Sequence, residues 1–302
     1  MKKFIIILGV VGTSLSAVLV RFADAPSTVL VFYRMLFSVL LLAPVVLTRC
    51  RSEYKSMEKK HLFLCMASGL FLGIHFACYF EALNRTSIAA CVSLVDTEVF
   101  FVALGGSLLL KEKLSGKGWL YIVLTFVGSV IIAASDMSGG GLSGDLIAVA
   151  GAASSCIYTL IGRKLRTVMT TNAYTWVVYF FAGLVILAAS AMGGHPVIPV
   201  QLHNLWIALG LAIFCTLLGH SIFSWGLKYE KASFVSAVKL LEPVFASILG
   251  FVFLREIPSL YTAVGAVLII VGIILLSREL GVQQEKSPNC SVEANKVDEK
   301  RA

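Results

Sequence analysis

Two glutamates, Glu98 and Glu242, stand 144 positions apart within apolar stretches of a 302-residue chain. Arg34, His75, Tyr79, Asp96, His220 and Lys239 lie in stretches of the same kind. A charged carboxylate in hydrocarbon costs at least ~2.5–3.5 kcal/mol on insertion scales, so it must face a wet cavity, carry a partner or be protonated. The chemistry open to this set is reversible binding of an amine, a carboxylate or a proton. Bond-making chemistry has little support. His220 and Ser221 are adjacent and would point about 100° apart on a helix, Ser221 stands in Gly219-His220-Ser221-Ile222 rather than in a Gly-x-Ser-Gly, and no His-Glu-x-x-His sequence occurs. Gly139-Gly140-Gly141 lacks the Gly-Lys-Ser/Thr of a phosphate cradle, and the seven cysteines show no metal or disulfide spacing. Neither an enzyme nor a cofactor or metal is expected.

The elements that position these residues follow from composition. Hydrophobic residues make up 58% of the chain and charged residues only 14%, against roughly a quarter charged in soluble domains. The net charge of +8 therefore points to loops at a membrane surface, and no nucleic-acid partner is expected. Ten stretches approach the ~20 residues needed to cross a bilayer as helix. They fall at about 4–22, 27–48, 62–83, 87–110, 117–135, 145–163, 173–192, 204–227, 232–254 and 259–277. The first follows Met1-Lys2-Lys3 like a signal peptide, yet it has a counterpart near 145–163 and is read as mature structure.

The two glutamates belong to a longer repeat. Shifting Leu62–Ser135 by 144 positions brings Leu83 onto Leu227, Glu98 onto Glu242, Phe101 onto Phe245, Gly106 onto Gly250, Glu112 onto Glu256 and Gly128 onto Gly272. Such repeats mark secondary transporters, whose halves move around a site between them. Twenty of the 25 Lys and Arg fall in alternate loops and the two ends, three (Arg21, Arg85, Arg255) on the other side, and two (Arg34, Lys239) within spans. This asymmetry predicts that both termini are cytoplasmic. Five spans per half then make the repeat inverted. The predicted fold is an all-α integral membrane protein of ten helices in two inverted five-helix repeats, 1–136 and 145–277. A Gly-rich extracytoplasmic linker, 137–144, joins them, and a disordered cytoplasmic tail, 278–302, follows.

At 1.5 Å per residue, Glu98 and Glu242 each lie roughly 15 Å deep, near the midplane. Each is read either as a cavity-facing ligand or as part of a structural ion pair. Pro243 predicts a kink and a freed carbonyl at Lys239. Lys239 and Glu242, three apart, would share a helix face, as a resting pair displaced by a substrate or as a permanent bridge. Asp96 and Glu98 would point about 200° apart on a continuous helix, so Asp96 is expected to pair with Arg34 or Lys239. His75 with Tyr79, and His220 with Ser224, are one turn apart, and either histidine is a proton relay or a satisfied interior group. Glu112 and Glu256, at helix ends, read as loop organisers. The glycines of the fifth and tenth spans offer faces for a homodimer.

Several short motifs carry a family resemblance. They are Tyr33-Arg34, Phe80-Glu81-Ala82-Leu83, Leu110-Lys111-Glu112-Lys113-Leu114, Leu241-Glu242-Pro243-Val244-Phe245-Ala246, Leu254-Arg255-Glu256 and the run from Gly265 to Gly272. In order and spacing they resemble the EamA family of the drug/metabolite transporter superfamily, over roughly 4–277. The chain departs from that family at Val99, where proline is usual. Arg34 matches an arginine common in the family. The resemblance implies a transporter, read here as an exporter of small metabolites such as amino acids, in the cell (inner) membrane, with a small-molecule substrate and, as a further option, proton coupling. The same superfamily also allows a lipid-linked carrier, a flippase or a multidrug efflux protein.

Overall fold

A computed structural model describes residues 2–86, 88–134, 141–255 and 257–285. Glu256, Gly139, Gly140 and the tail from residue 286, all singled out above, lie outside the described residues. The described chain is helical: α1 (Lys2–Val20), α2 (Ser27–Arg49), α3 (Arg51–Ser56), α4 (Lys59–Leu83), α5 (Ile88–Asp96), α6 (Glu98–Leu109) and α7 (Gly116–Ala133), then α8 (Leu142–Leu165), α9 (Thr171–Met192) and α10 (Leu202–Gly210). A π-helical stretch (Leu211–His220), α11 (Ser221–Gly226), α12 (Ala232–Lys239), α13 (Glu242–Leu254) and α14 (Leu260–Glu285) complete it. Ten helical stretches are long and apolar enough to cross a bilayer. They coincide with the predicted spans to within a few residues. The last helix differs: α14 runs through Arg278 to Glu285, because Arg278-Glu-Leu-Gly-Val still packs Leu280 into the core.

The packing obeys a two-fold. The first span (α1) packs on the eighth (π stretch and α11) and ninth (α12 and α13). Its counterpart, the sixth (α8), packs on the third (α4) and fourth (α5 and α6) in the same way. The second and seventh spans (α2 and α9), the fourth and ninth, and the fifth and tenth (α7 and α14) each pair across the axis. A repeat of five spans related in this way is inverted. Even backbone details recur. Lys111 and Arg255, equivalent under the 144-residue shift, both adopt left-handed φ of 57° where α6 and α13 end.

The fifth and tenth spans meet through their glycines. A Cβ on Gly265 would collide with the Gly128 carbonyl oxygen, and one on Gly128 would lie 2.7 Å from that of Gly265. These glycines therefore serve a contact within one chain, since only backbones without side chains can approach so closely. Gly265→Leu should force these helices apart, costing about 1–3 kcal/mol or more. A lowered melting temperature in detergent would show it, and an unchanged one would place the contact elsewhere.

Basic loops gather at one end of the bundle. Glu112 Oε1 accepts from Arg163 Nε (2.5 Å) and its Oε2 from the Ala232 amide (2.9 Å), so this loop residue ties the two halves together. Lys3 Nζ donates to the Ser277 carbonyl (2.8 Å), and Lys231 Nζ to that of Lys113 (2.7 Å). Arg166, only 2% exposed, donates to the carbonyls of Ser224 and Met169 and to Thr171 Oγ1. Burial pulls its pKa down to about 10, still far above neutrality. Helix α3 adds Glu53, whose carboxylate accepts from the amide and hydroxyl of Thr170 (both 2.7 Å) and so holds the start of α9.

Candidate functional site

Both glutamate-bearing spans are broken at mid-depth. The midpoints of Cys91–Leu109 and Ala232–Leu254 are residues 100 and 243, so Glu98 and Glu242 stand within two residues of the middle of their spans. In the ninth span the Leu240 and Leu241 amides reach back only three residues, to Ala237 (3.1 Å) and Val238 (3.0 Å). Pro243 then occupies the first turn of α13, where a missing N–H costs nothing. The fourth span breaks without proline. Thr97 bonds the Leu94 carbonyl through both its amide (3.2 Å) and its hydroxyl (2.5 Å), and this local competition interrupts the helical ladder. Val99 therefore does not remove the break. Glu98 and Glu242 each open a half-helix, whose positive end favours a carboxylate.

Their surroundings differ despite the repeat. Glu98, 7% exposed, is saturated. Its Oε1 accepts from Thr159 Oγ1 (3.1 Å), Ser236 Oγ (3.3 Å) and Lys239 Nζ (2.9 Å), and its Oε2 from Ser155 Oγ (2.6 Å) and Lys239 Nζ (3.3 Å). Glu242 is half-buried, and Thr13 Oγ1 of α1 donates to its Oε1 (2.8 Å). Lys239 thus pairs with Glu98, not with the Glu242 expected from sequence. Glu98, brought in by α6 of the other half and set among three hydroxyls, takes the ammonium instead.

Asp96 also departs from expectation. Its Oδ2 accepts from Ser129 Oγ of α7, and among the described residues it forms no ion pair with Arg34 or Lys239. It is the last residue of α5 and turns to the fifth span, whereas Glu98 turns to the sixth. The two point apart, as expected of residues two positions apart on a helix, since Thr97 keeps right-handed helical dihedrals.

Arg34, 7% exposed, donates from Nε to Thr216 Oγ1 (2.7 Å) on the π-helical stretch and lies 5.5 Å from the centre of the Phe76 ring. His220 meets the edges of Phe76 (5.7 Å) and Phe223 (6.1 Å), and Lys239 Nζ sits 6.0 Å from the Phe223 ring centre. An aromatic girdle thereby joins Arg34 to Lys239. His75 Nδ1 is bonded to the Gly151 carbonyl oxygen (3.0 Å), the satisfied interior arrangement. His220 Nδ1 is buried and has no hydrogen-bond partner among the described residues. Tyr79 packs edge-on to Phe80 (5.3 Å), and Ser224 bonds Tyr158 (3.2 Å) rather than His220. Near the π stretch, a cavity of about 470 Å³ opens between α1, α9 and α11, with Asn172 and Ser221 in its wall.

The residues missed from sequence are hydroxyls: Thr13, Ser129, Ser155, Thr159, Thr216 and Ser236. Ser155 and Thr159, one turn apart in an apolar span, were a readable signal of a polar stripe. With His75 and His220 neutral, the charge inventory of this layer is two cations, Arg34 and Lys239, against three carboxylates, Asp96, Glu98 and Glu242. Fully charged, it would lack one positive charge, which a proton or an ammonium group can supply.

Comparison with known proteins agrees with this architecture. The EamA-like transporter family matches residues 2–134 and again 142–278. An uncharacterized transporter of Archaeoglobus fulgidus is 29% identical over 254 residues, covering 82% of this chain and 86% of that protein. The pseudopaline exporter CntI of Pseudomonas aeruginosa is 26% identical over 260 residues, covering 85% and 88%. A protein of known crystal structure superposes with a TM-score of 0.75 over 92% of this chain and 98% of its own, at 19% identity, which speaks for the fold alone. With ten apolar helices, a two-fold between five-span halves and a family match to each half, the chain is a multi-pass membrane protein of the EamA-like transporter family.

Proposed function

We propose that this transporter exports small metabolites carrying both an amine and a carboxylate, such as amino acids, by alternating access around the mid-membrane layer. The observation that carries the reading is that Arg34 and Glu242, opposite charges, form no ion pair with each other. Each is engaged by a single threonine hydroxyl. A dipolar ligand complements both charges at once, its carboxylate on the guanidinium and its ammonium on Glu242, which also supplies the missing positive charge. Glu98 and Lys239 serve as the joint between the broken spans, about which the units 1–136 and 145–277 rock. The basic end is taken here as the cytoplasmic face of the cell membrane. A relative that is itself an exporter supports the direction. Asp96 and Glu242 are the groups placed to take a proton when no ammonium is bound.

The test uses the purified full-length chain in liposomes and a panel of labelled amino acids, their methyl esters and their N-acetyl derivatives. At least one parent amino acid should be moved, and neither of its blocked derivatives. Transport of the blocked forms at the parent rate, or of no amino acid at all, would overturn this reading.

A further inference from the structure

The first span and the π-helical stretch touch backbone to backbone. A Cβ on Gly12 would lie 2.7 Å from the Phe214 carbonyl oxygen and 3.0 Å from that of Leu218. One on Gly219 would lie 2.5 Å from Thr13 Cγ2. This seam stands between α2, which carries Arg34, and α13, which carries Glu242, and packs against both. It presents one hydroxyl toward each charge.

The hydrogen-bond roles are distinct. Arg34 Nε donates to Thr216 Oγ1, and the Thr216 hydroxyl is in turn 3.5 Å from the Leu211 carbonyl oxygen, five residues back, which it can bond as donor. Thr216 therefore acts on Arg34 as an acceptor, a role that no aliphatic side chain can take. Thr13 Oγ1 lies 2.8 Å from Glu242 Oε1 and 3.0 Å from the Val10 carbonyl oxygen. Its one proton satisfies an ionised Glu242, while Ser14 Oγ, 3.2 Å from the Glu242 carbonyl oxygen, pins the backbone beside it.

We propose that Thr13 and Thr216 are positioning residues that hold Glu242 and Arg34 apart, so that a dipolar substrate rather than a direct ion pair completes them. An opposite charge brought within a few ångströms in a low-dielectric interior would compete strongly with any ligand. Without the two hydroxyl anchors the long Arg34 side chain swings to Glu242 and the pair closes on itself. The seam then sets how much binding energy a substrate must supply to open the site. This rests on the amine-and-carboxylate reading above.

The test uses Thr13→Val and Thr216→Val, which keep shape and lose the hydroxyl, and Thr13→Ser and Thr216→Ser, which keep it. The first readout is efflux of an amino acid that the wild type transports. Each valine variant should raise KM about tenfold or more, the scale of one lost charge-assisted hydrogen bond, with the maximal rate within about twofold, and each serine variant should restore the wild-type KM. The second readout needs no substrate: a thermal-stability double-mutant cycle of Arg34→Gln with Glu242→Gln, run in the wild-type and in the Thr13→Val/Thr216→Val background. Coupling between the two charges should be weak in the first and strong in the second. An unchanged KM in the valine variants, serine variants as impaired as valine ones, or equal coupling in both backgrounds would each overturn the proposal. If no amino acid is transported but coupling grows in the valine background, the substrate reading fails and the positioning role stands.

Discussion

Lys239→Met is expected to unfold or severely destabilise the protein, by about 3–5 kcal/mol. Its ammonium is the cation bonded to Glu98, and the other donors to that carboxylate are neutral hydroxyls from Ser155, Thr159 and Ser236. Losing the lysine leaves a buried carboxylate uncompensated at the membrane centre, which is far more costly than never having placed one there. Removing both charges, with Lys239→Met and Glu98→Gln together, should recover most of the loss, because the amide can still meet the hydroxyls. Melting of the detergent-solubilised protein reads both effects. A Lys239→Met protein as stable as the wild type but dead in transport would show that the lysine handles substrate instead of joining the halves.

Glu242→Gln should act in the opposite sense, folding normally while transport falls by about a hundredfold. Deleting one member of a charge-to-charge contact with a ligand costs of order 2–5 kcal/mol, and each 1.4 kcal/mol is tenfold. Glutamine keeps the carbonyl oxygen that accepts from Thr13, so the seam with α1 is preserved. Initial rates of efflux from liposomes, beside melting curves of the same preparation, separate the two outcomes. Wild-type rates in Glu242→Gln would remove this residue from the site and leave Arg34 without its counterpart. The contrast with Glu98 is the sharper statement: repeat-equivalent glutamates are expected to fail in different ways, one in transport and the other in stability.

Much of the architecture was readable beforehand because its causes are local. Span length follows from bilayer thickness, loop charge from the cost of moving Lys and Arg across it, and the repeat from matching residues at one fixed shift. The break at Pro243 was readable for the same reason, since a proline ring acts on its own helix. The break at Thr97 was not. A threonine in an apolar span bonds either a carbonyl of its own turn or a neighbour, and only the surrounding packing decides which.

The partners of the charges were the least legible. Counting along a helix placed Lys239 beside Glu242 and left Asp96 to seek a cation. Neither inference could weigh the partners that other spans bring. In the fold Lys239 reaches across the two-fold to Glu98 of the other half, and Asp96 meets Ser129 on α7. By itself, then, the chain's sequence determined that ten apolar helices form two inverted halves with acidic residues at mid-depth, since hydropathy and charge act residue by residue along the chain. Only the tertiary structure decided that one acid is locked in an ion pair while its twin has a single hydroxyl, because that outcome depends on contacts between spans far apart in sequence.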